Sequence, residues 1–125
     1  MWAELTAVAV GGAAGACARF LLTLGATAWL GHGFPWGTLA VNVIGSFVLA
    51  VVFVVAVERG GMPAAWRAGV MVGFLGAFTT FSTFSVDSLA LLDSGQAARA
   101  AANVLANVGV CLLAAWAGLR LARIL

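Results

Sequence analysis

Long apolar runs separated by short polar segments are the main pattern of this chain. Apart from Arg19, charged residues stand between the runs or near their ends, and they do not alternate with apolar positions as they would on a surface helix. Each run is long enough to cross a hydrocarbon core about 30 Å thick as a helix. The pattern predicts an all-α membrane protein with four transmembrane helices, at about residues 5–24, 37–57, 68–91 and 100–119.

The third run contains the segment GFLGAFTTFSTFS at residues 73–85, which places glycines and hydroxyl side chains inside an uncharged span. Glycine adds backbone freedom, and Ser and Thr side chains offer the backbone competing hydrogen bonds, so this composition weakens a helix. Unpaired backbone at that depth is tolerated where it lines a cavity or is buried in protein. We therefore predict that the third helix is broken and that the break is a candidate ion site.

Composition favours a single four-helix transmembrane domain over residues 1–125. The chain is 64% hydrophobic and 8% charged, which is typical of a protein embedded in a lipid bilayer. Six arginines against four acids make it slightly basic, but no basic run is present that would bind nucleic acid. No nucleophile stands beside a base, and no His/Cys cluster has the spacing of metal ligands, so we expect no enzyme activity.

The positive charges give the chain only a weak preferred orientation. With four helices, both termini and the loop after the second helix share one side of the membrane. That side carries Arg59, Arg67, Arg120 and Arg123, and the other side carries Arg99 and Arg19. The positive-inside bias is small. Such a chain could insert in both orientations, and a single orientation with the first set of arginines inward is the alternative.

Two polar stripes run along predicted helices at a spacing of four residues, which aligns each stripe on one helical face. The second helix carries Thr38, Asn42 and Ser46, and the fourth carries Asn103, Asn107 and Cys111. A single buried asparagine more often joins two helices by hydrogen bonds. Two stripes beside a broken helix instead favour a lined path, in which amide and hydroxyl donors could contact a small hydrated anion.

Charged and aromatic residues near this path each allow two interpretations. Arg19 lies well inside the first span, where it either snorkels toward the loop or acts as a fixed positive charge in a vestibule. Phe81 and Phe84 either pack or present positive ring edges to an anion. Asp87 lies near a mouth of the third span, so no carboxylate stands at the midplane to couple transport to protons.

Glycine pairs spaced by four residues allow close helix contact in the first and third spans. They are Gly11 with Gly15 and Gly69 with Gly73. Packing within one chain and packing between two chains explain them equally well. Four helices leave no room for a central pore, so a permeation path implies an oligomer, and a two-fold axis is the commonest choice.

Three features of the sequence resemble the small fluoride channels of the CrcB/Fluc family. They are GxxGxxTTFSTFS in the third span, GTLxVNxxGSF in the second, and an early intramembrane arginine. The resemblance extends over nearly the whole chain. It implies a passive fluoride-selective channel of the bacterial plasma membrane that exports cytoplasmic fluoride and so reduces its toxicity. It also implies an antiparallel, dual-topology homodimer with two pores and a structural Na⁺ ion on the two-fold axis.

The resemblance also implies roles for individual residues of this chain. The sodium ligands would be the main-chain carbonyl oxygens of Gly76 and Thr79 from both subunits, which suits a hard cation. Phe81 and Phe84 would contact fluoride, and Asn42 would donate an amide hydrogen to it. Further pathway positions would be Thr38, Ser82, Thr83, Asn103 and Asn107, and the vestibule charges would be Arg19 and Asp87.

The chain departs from the family pattern in two places. The fourth span has Asn103, Asn107 and Cys111 where a tyrosine and serines are expected, so the donors persist at two positions but the phenol is absent. Asp87 replaces a more common glutamate and reaches less far by one methylene. Two rival classes fit less well: a drug/proton exchanger needs a carboxylate midway along a span, and a purely structural subunit leaves the polar stripes unexplained.

Overall fold

The computed structural model describes residues 1–125 and contains helices as its only regular secondary structure. Four helical spans are long and apolar enough to cross a membrane: Trp2–Leu30, Trp36–Glu58, Ala64–Asp93 and Ala97–Ile124. The predicted all-α architecture with four spans is therefore confirmed. Each helix continues beyond its predicted limits, because flanking alanines and polar residues extend the helical turns past the apolar run.

Two of the spans contain helical segments of more than one type. The second span is α-helical over Trp36–Phe53 and ends in a π-helical turn at Val54–Glu58. The third span is a succession of short segments, which are α-helical at Ala64–Arg67, π-helical at Ala68–Leu75, and α-helical again at Gly76–Phe78 and Phe81–Asp93. The wider π turns fall in the half of the third span that packs against the first span.

Glycines bring the backbones of the first and third spans into direct contact. A Cβ atom on Gly73 would lie 2.7 Å from the Val8 carbonyl oxygen, and one on Gly15 would lie 2.9 Å from the Phe74 Cα. Gly11 and Gly69 meet along the same seam. The glycine pairs seen in the sequence thus pack within one chain, which accounts for them without a second subunit.

The second span packs mainly against the fourth span, and it also contacts the first. Gly118 allows this approach, since a Cβ atom there would lie 2.5 Å from the Phe47 carbonyl oxygen. The small core between the spans is apolar except for buried threonines and asparagines. Its most enclosed members include Val41, Val54 and Asn103. Polar groups at this depth of a membrane protein must find partners inside the chain.

Polar contacts join neighbouring segments at each end of the bundle. At one end Arg99 donates to the Gly33 carbonyl oxygen at 3.0 Å. At the other end Arg123 forms two hydrogen bonds to the Glu58 carboxylate, at 3.1 and 2.6 Å, and Arg59 donates to the Ala122 carbonyl oxygen. The 31–35 and 94–96 segments therefore share one end, opposite the 59–63 segment and the chain termini.

Candidate functional site

Thr79 and Thr80 interrupt the helical backbone at the centre of the third span. Thr79 has φ −87° and ψ 160°, and Thr80 has φ −154° and ψ 119°, so both are extended. The Thr80 hydroxyl accepts the Thr83 N–H at 3.2 Å and caps the helix that begins at Phe81. A threonine at this N-cap position starts the new helix because its side-chain oxygen satisfies a backbone donor that has no helical partner.

The Asn42 carboxamide on the second span forms hydrogen bonds to both backbone polar groups of Thr80. Asn42 Oδ1 accepts the Thr80 N–H at 2.8 Å, and Asn42 Nδ2 donates to the Thr80 carbonyl oxygen at 3.0 Å. Thr80 is 9% exposed, so neither backbone group can rely on bulk water. The carboxamide takes the place of a neighbouring strand and makes an extended residue tolerable at this depth.

A chain of side-chain hydrogen bonds leads away from Asn42. Asn42 Nδ2 also donates to Asn107 Oδ1 at 2.9 Å, and Asn107 Nδ2 donates to Asn103 Oδ1 at 3.0 Å. Asn103 Nδ2 donates to Ser88 Oγ at 2.9 Å, and Ser88 Oγ donates to the Phe84 carbonyl oxygen at 2.8 Å. The structure thus brings all three predicted asparagines into one hydrogen-bonded group.

The interruption changes the hydrogen bonding of the carbonyl groups around it. In a continuous helix the Thr80 N–H would donate to the Gly76 carbonyl oxygen, but here it donates to Asn42. The Thr79 N–H keeps its bond to the Leu75 carbonyl oxygen at 3.1 Å, and the Thr79 hydroxyl donates to the same oxygen. The Gly76 carbonyl therefore lacks its usual helical donor, and Gly76 itself is exposed on the surface of the chain.

Phe81 and Phe84 follow the interruption and meet edge to face. Their ring centroids lie 5.2 Å apart with an interplanar angle of 63°. Phe84 is buried, whereas Phe81 is 77% exposed and projects from the single chain. Both rings line an open groove of about 390 Å³ between the second, third and fourth spans. Polar members of the groove wall include Asn42, Ser46, Thr80, Asn107 and Cys111.

A polar vestibule of about 440 Å³ opens at the end of the bundle that holds the 31–35 and 94–96 segments. Thr38 and Asp87 line it, and the Thr38 hydroxyl donates to Asp87 Oδ2 at 2.7 Å. His32 also lines this vestibule. The predicted position of Asp87 near a mouth therefore agrees with its surroundings.

A third cavity of about 410 Å³ contains Arg19. Thr38 and Thr83 line both this cavity and the vestibule, and Thr80 lines both this cavity and the groove. Arg19 is half-buried and has no hydrogen bond or ion pair within the chain. Because neighbouring cavities share these threonines, the groove, the Arg19 cavity and the vestibule adjoin one another along the bundle, and we refer to the three together as the route.

The predicted site residues do not all face this route. Ser82 is exposed, and its hydroxyl lies 3.3 Å from the Thr80 hydroxyl, outside the walls of the three cavities. Asn103 is fully buried and also lies outside those walls. No group of three or more His, Cys, Asp or Glu side chains could hold a metal ion.

Sequence reasoning missed two residues of the site, Thr80 and Ser88. The signal for Thr80 is a hydroxyl residue placed three before Thr83, which is the spacing of an N-cap bond. Ser88 carries no comparable signal, because its contact with Asn103 depends on how the third and fourth spans pack.

Comparison with known proteins gives matches over most of this chain. The family described as "CrcB-like protein, Camphor Resistance (CrcB)" matches residues 6–119. Proteins named "Fluoride-specific ion channel FluC" match from Methylococcus capsulatus (53% identity), Magnetococcus marinus (48%) and Geobacter sulfurreducens (49%).

These matches cover 96%, 98% and 95% of this chain, respectively. The chain spans only 53% of the Methylococcus relative, but 99% and 96% of the other two. With bacterial relatives and four membrane-length spans, the chain is a multi-pass bacterial membrane protein.

Proposed function

The chain belongs to the CrcB-like protein family, and we propose that it forms a passive, fluoride-selective channel through which cytoplasmic fluoride leaves the cell. The family match confirms the resemblance found in the sequence. The relatives are named "Fluoride-specific ion channel FluC", which supports a fluoride channel. This function needs no catalytic group, and the chain acts as a channel rather than an enzyme.

The observation that carries the proposal is the groove beside the extended threonines. Asn42, Phe81 and Phe84 line this groove, which offers two ring edges and nearby hydroxyls to one small anion. Both Nδ2 hydrogens of Asn42 are donated to Thr80 and Asn107, so Asn42 would donate to the anion by exchanging one of these bonds. Ring edges carry the positive part of the aromatic quadrupole, so they attract an anion more weakly than an ammonium group would. Several weak contacts suit conduction, because the ion must leave as readily as it enters.

The route to this groove passes side chains of suitable charge and polarity. The Arg19 guanidinium supplies a positive potential beside Thr38, Thr80 and Thr83. The Thr38 and Thr80 hydroxyls donate to Asp87 and Thr83, so the Thr83 hydroxyl is the one that can replace water around the anion. The Ser82 hydroxyl lies 3.3 Å from the Thr80 hydroxyl and adds a further hydroxyl on the outer surface of the chain. Asp87 sits in the vestibule, away from the centre of the span, so proton coupling has no midplane carboxylate to use.

A structural Na⁺ ion at the interruption is a further part of the proposal. The Gly76 carbonyl lacks its helical donor, because the Thr80 N–H donates to Asn42 instead. The Thr79 carbonyl belongs to a residue with an extended backbone. Unpaired carbonyl oxygens are suitable ligands for a hard cation. One chain offers too few of them for a full coordination shell, so the ion would lie between two copies of the chain and would neutralise the dipoles of both interruptions.

We also propose that the channel is an antiparallel homodimer. In the single chain Phe81 is 77% exposed and the groove it lines is open along one side. A second copy would cover Phe81, close the groove and bring two sets of Gly76 and Thr79 carbonyls together. The weak difference in arginine content between the two ends is compatible with insertion in both orientations.

Fluoride efflux from liposomes that contain only this protein tests the proposed function. A fluoride electrode should record release that follows the electrochemical gradient, and a chloride electrode should record little release under the same gradient. Liposomes without protein are the control. Chloride release as fast as fluoride release, or fluoride accumulation driven by a proton gradient, would contradict the assignment.

A further inference from the structure

We propose that Ser88, Asn103 and Asn107 form an amide relay that positions Asn42 and maintains the extended conformation of Thr80, without contacting the anion. The proposal rests on the channel function above and concerns how this chain keeps its groove in shape. It assigns a positioning role to the two fourth-span asparagines, which the sequence placed along the ion pathway. Ser88 joins them as a residue that no pattern in the sequence singles out.

Every hydrogen bond of the relay has a fixed direction. The Thr80 N–H can only donate, so Asn42 must present its oxygen to Thr80 and its nitrogen to Asn107. Asn107 Nδ2 then donates to the Asn103 carbonyl oxygen and to Asn103 Oδ1, both at 3.0 Å. A main-chain carbonyl can only accept, so this orientation of Asn107 is fixed as well.

The far end of the relay is fixed in the same way. Asn103 Oδ1 receives a hydrogen from Asn107, so Asn103 Nδ2 must face Ser88. Ser88 then passes its own hydrogen to the Phe84 carbonyl oxygen. The relay thus runs from the backbone N–H of Thr80 to the backbone carbonyl of Phe84, and it spans the first turn of the helix that follows the interruption.

Burial separates the relay from the proposed ion route. Asn103 is 0% exposed, and neither Asn103 nor Ser88 lines the groove, the vestibule or the Arg19 cavity. Asn107 borders the groove, but its amide nitrogen is directed to two oxygens of Asn103. No buried side-chain donor or acceptor in the chain lacks a partner. Both hydrogens of Asn107 Nδ2 are directed to Asn103, and Asn103 is kept away from an anion by its burial outside the three cavities.

The relay acts on the groove through Asn42. In a low-dielectric interior linked hydrogen bonds polarise one another, so loss of one bond weakens those along the chain. If Asn103 turns away, Asn107 loses its acceptors and no longer holds the Asn42 amide in register with Thr80. The hydrogen bonds of the Thr80 N–H and carbonyl to Asn42 would then break more often. Because a buried backbone group without a partner is costly, the extended conformation of Thr80 would be less stable.

Backbone hydrogen exchange of the full-length protein tests this inference with matched variants. Ser88→Ala removes the end of the relay, Ser88→Thr keeps a hydroxyl there, and Ser85→Ala is the control. Ser85 lies on the same helix and donates to the Phe81 carbonyl oxygen at 2.9 Å, as Ser88 does to Phe84, but it is outside the relay. Deuterium uptake is read by mass spectrometry on overlapping peptides that cover residues 79–84 and whose differences resolve the Thr80 amide.

We expect Ser88→Ala to raise exchange in that segment by roughly two- to ten-fold, the range that corresponds to one net hydrogen bond. Ser88→Thr should match the unmodified protein, and Ser85→Ala should leave the Thr80 amide unchanged. Fluoride efflux should fall with Ser88→Ala, together with the ratio of fluoride to chloride flux. Equal exchange of the Thr80 amide in the Ser88→Ala and Ser85→Ala proteins would overturn the relay.

Asn103→Leu is a second, stronger test, because it removes the Asn103 amide from the relay and keeps a side chain of similar volume. It should raise exchange at residues 79–84 at least as much as Ser88→Ala. A lower fluoride flux with unchanged exchange would mean that Asn103 contacts the anion, and this would overturn the proposal. The exchange result does not depend on transport, so a wild-type protein that carries no fluoride would refute the channel function while leaving the relay testable.

Discussion

Asn42 and Thr80 are joined by two hydrogen bonds of opposite direction, one from the Thr80 N–H and one to the Thr80 carbonyl oxygen, at 2.8 and 3.0 Å. A side chain on one span therefore completes the backbone of another at its interruption. This arrangement explains why an asparagine stands here, since only a carboxamide offers a donor and an acceptor in the geometry of a peptide group.

Asn42→Asp should reduce fluoride flux by at least about ten-fold, which corresponds to about 1.4 kcal/mol. The carboxylate keeps the acceptor for the Thr80 N–H but loses the donors to Thr80 and Asn107, and it adds a negative charge where the anion must pass. Fluoride efflux from liposomes measures the effect. Ser46→Ala, which changes another groove residue without adding charge, is the comparison, and an equal loss in both variants would argue against this explanation.

Removal of sodium should stop fluoride flux if the carbonyls of Gly76 and Thr79 hold a structural Na⁺ ion. Thr79→Ser should keep both the carbonyl and the hydroxyl bond to Leu75, and so largely preserve flux. The measurement is fluoride efflux in rigorously sodium-free buffer, compared with efflux in sodium buffer. A separate assay with radioactive sodium should show that sodium itself does not cross. Unchanged flux without sodium would remove the ion from the proposal but would leave the pore.

The number and order of the spans were predictable because hydropathy is a property of local sequence that packing does not alter. The helix ends were less predictable, since the first helix continues through Gly25 as far as Leu30, although glycine lowers helix propensity. The hydroxyl-rich segment of the third span indicated where helix hydrogen bonding would be weak. It did not indicate that Thr80, rather than Thr79, would pair with Asn42.

The sequence pattern could not predict which distant segments would contact one another. Asn42 and Asn107 lie 65 residues apart, and their pairing depends on the rotation of two helices about their axes. The glycine pairs illustrate the same limit, because their spacing permits contact within a chain or between chains. Only the packing of Gly15 against Phe74 decides between these alternatives.

Gly15→Ala should destabilise the protein by about 1–3 kcal/mol, the usual cost of overfilling a packed site. The added methyl group would lie 2.9 Å from the Cα of Phe74, and backbone cannot move aside as a flexible side chain does. Gly25→Ala is the matched control on the same helix, where a Cβ atom meets nothing within 4 Å. Thermal loss of the monodisperse peak in size-exclusion chromatography should occur at a lower temperature for the first variant only.

Labelling of a cysteine introduced at Ala64 should succeed from both faces of the membrane. Ala64 is exposed at the start of the third span, beside the 59–63 segment, so a dual-topology protein presents it on each side. A membrane-impermeant maleimide is applied to intact cells, and then again after permeabilisation. The unmodified chain is the control, because Cys17 and Cys111 lie within the spans. Labelling from a single face would contradict the antiparallel arrangement.

The charges of Arg19 and Asp87 should affect fluoride flux with opposite signs. Arg19 faces the threonine-lined cavity with no partner in the chain, whereas Asp87 lies in the vestibule and accepts the Thr38 hydroxyl at 2.7 Å. Arg19→Gln removes the positive potential that draws the anion inward, and flux should fall. Asp87→Asn removes a repelling charge but keeps an oxygen acceptor for Thr38, so flux should be preserved or increased by a few-fold.

Ionic strength separates this electrostatic effect from a loss of structure. Charges near an aqueous mouth are screened over about 10 Å at 0.1 M salt and over about 3 Å at 1 M. The difference in fluoride flux between Arg19→Gln and Asp87→Asn should therefore be largest in dilute buffer and should shrink as an impermeant salt is added. If both variants lose flux equally at every salt concentration, the two side chains support the packing around Thr38 instead of setting the potential along the route.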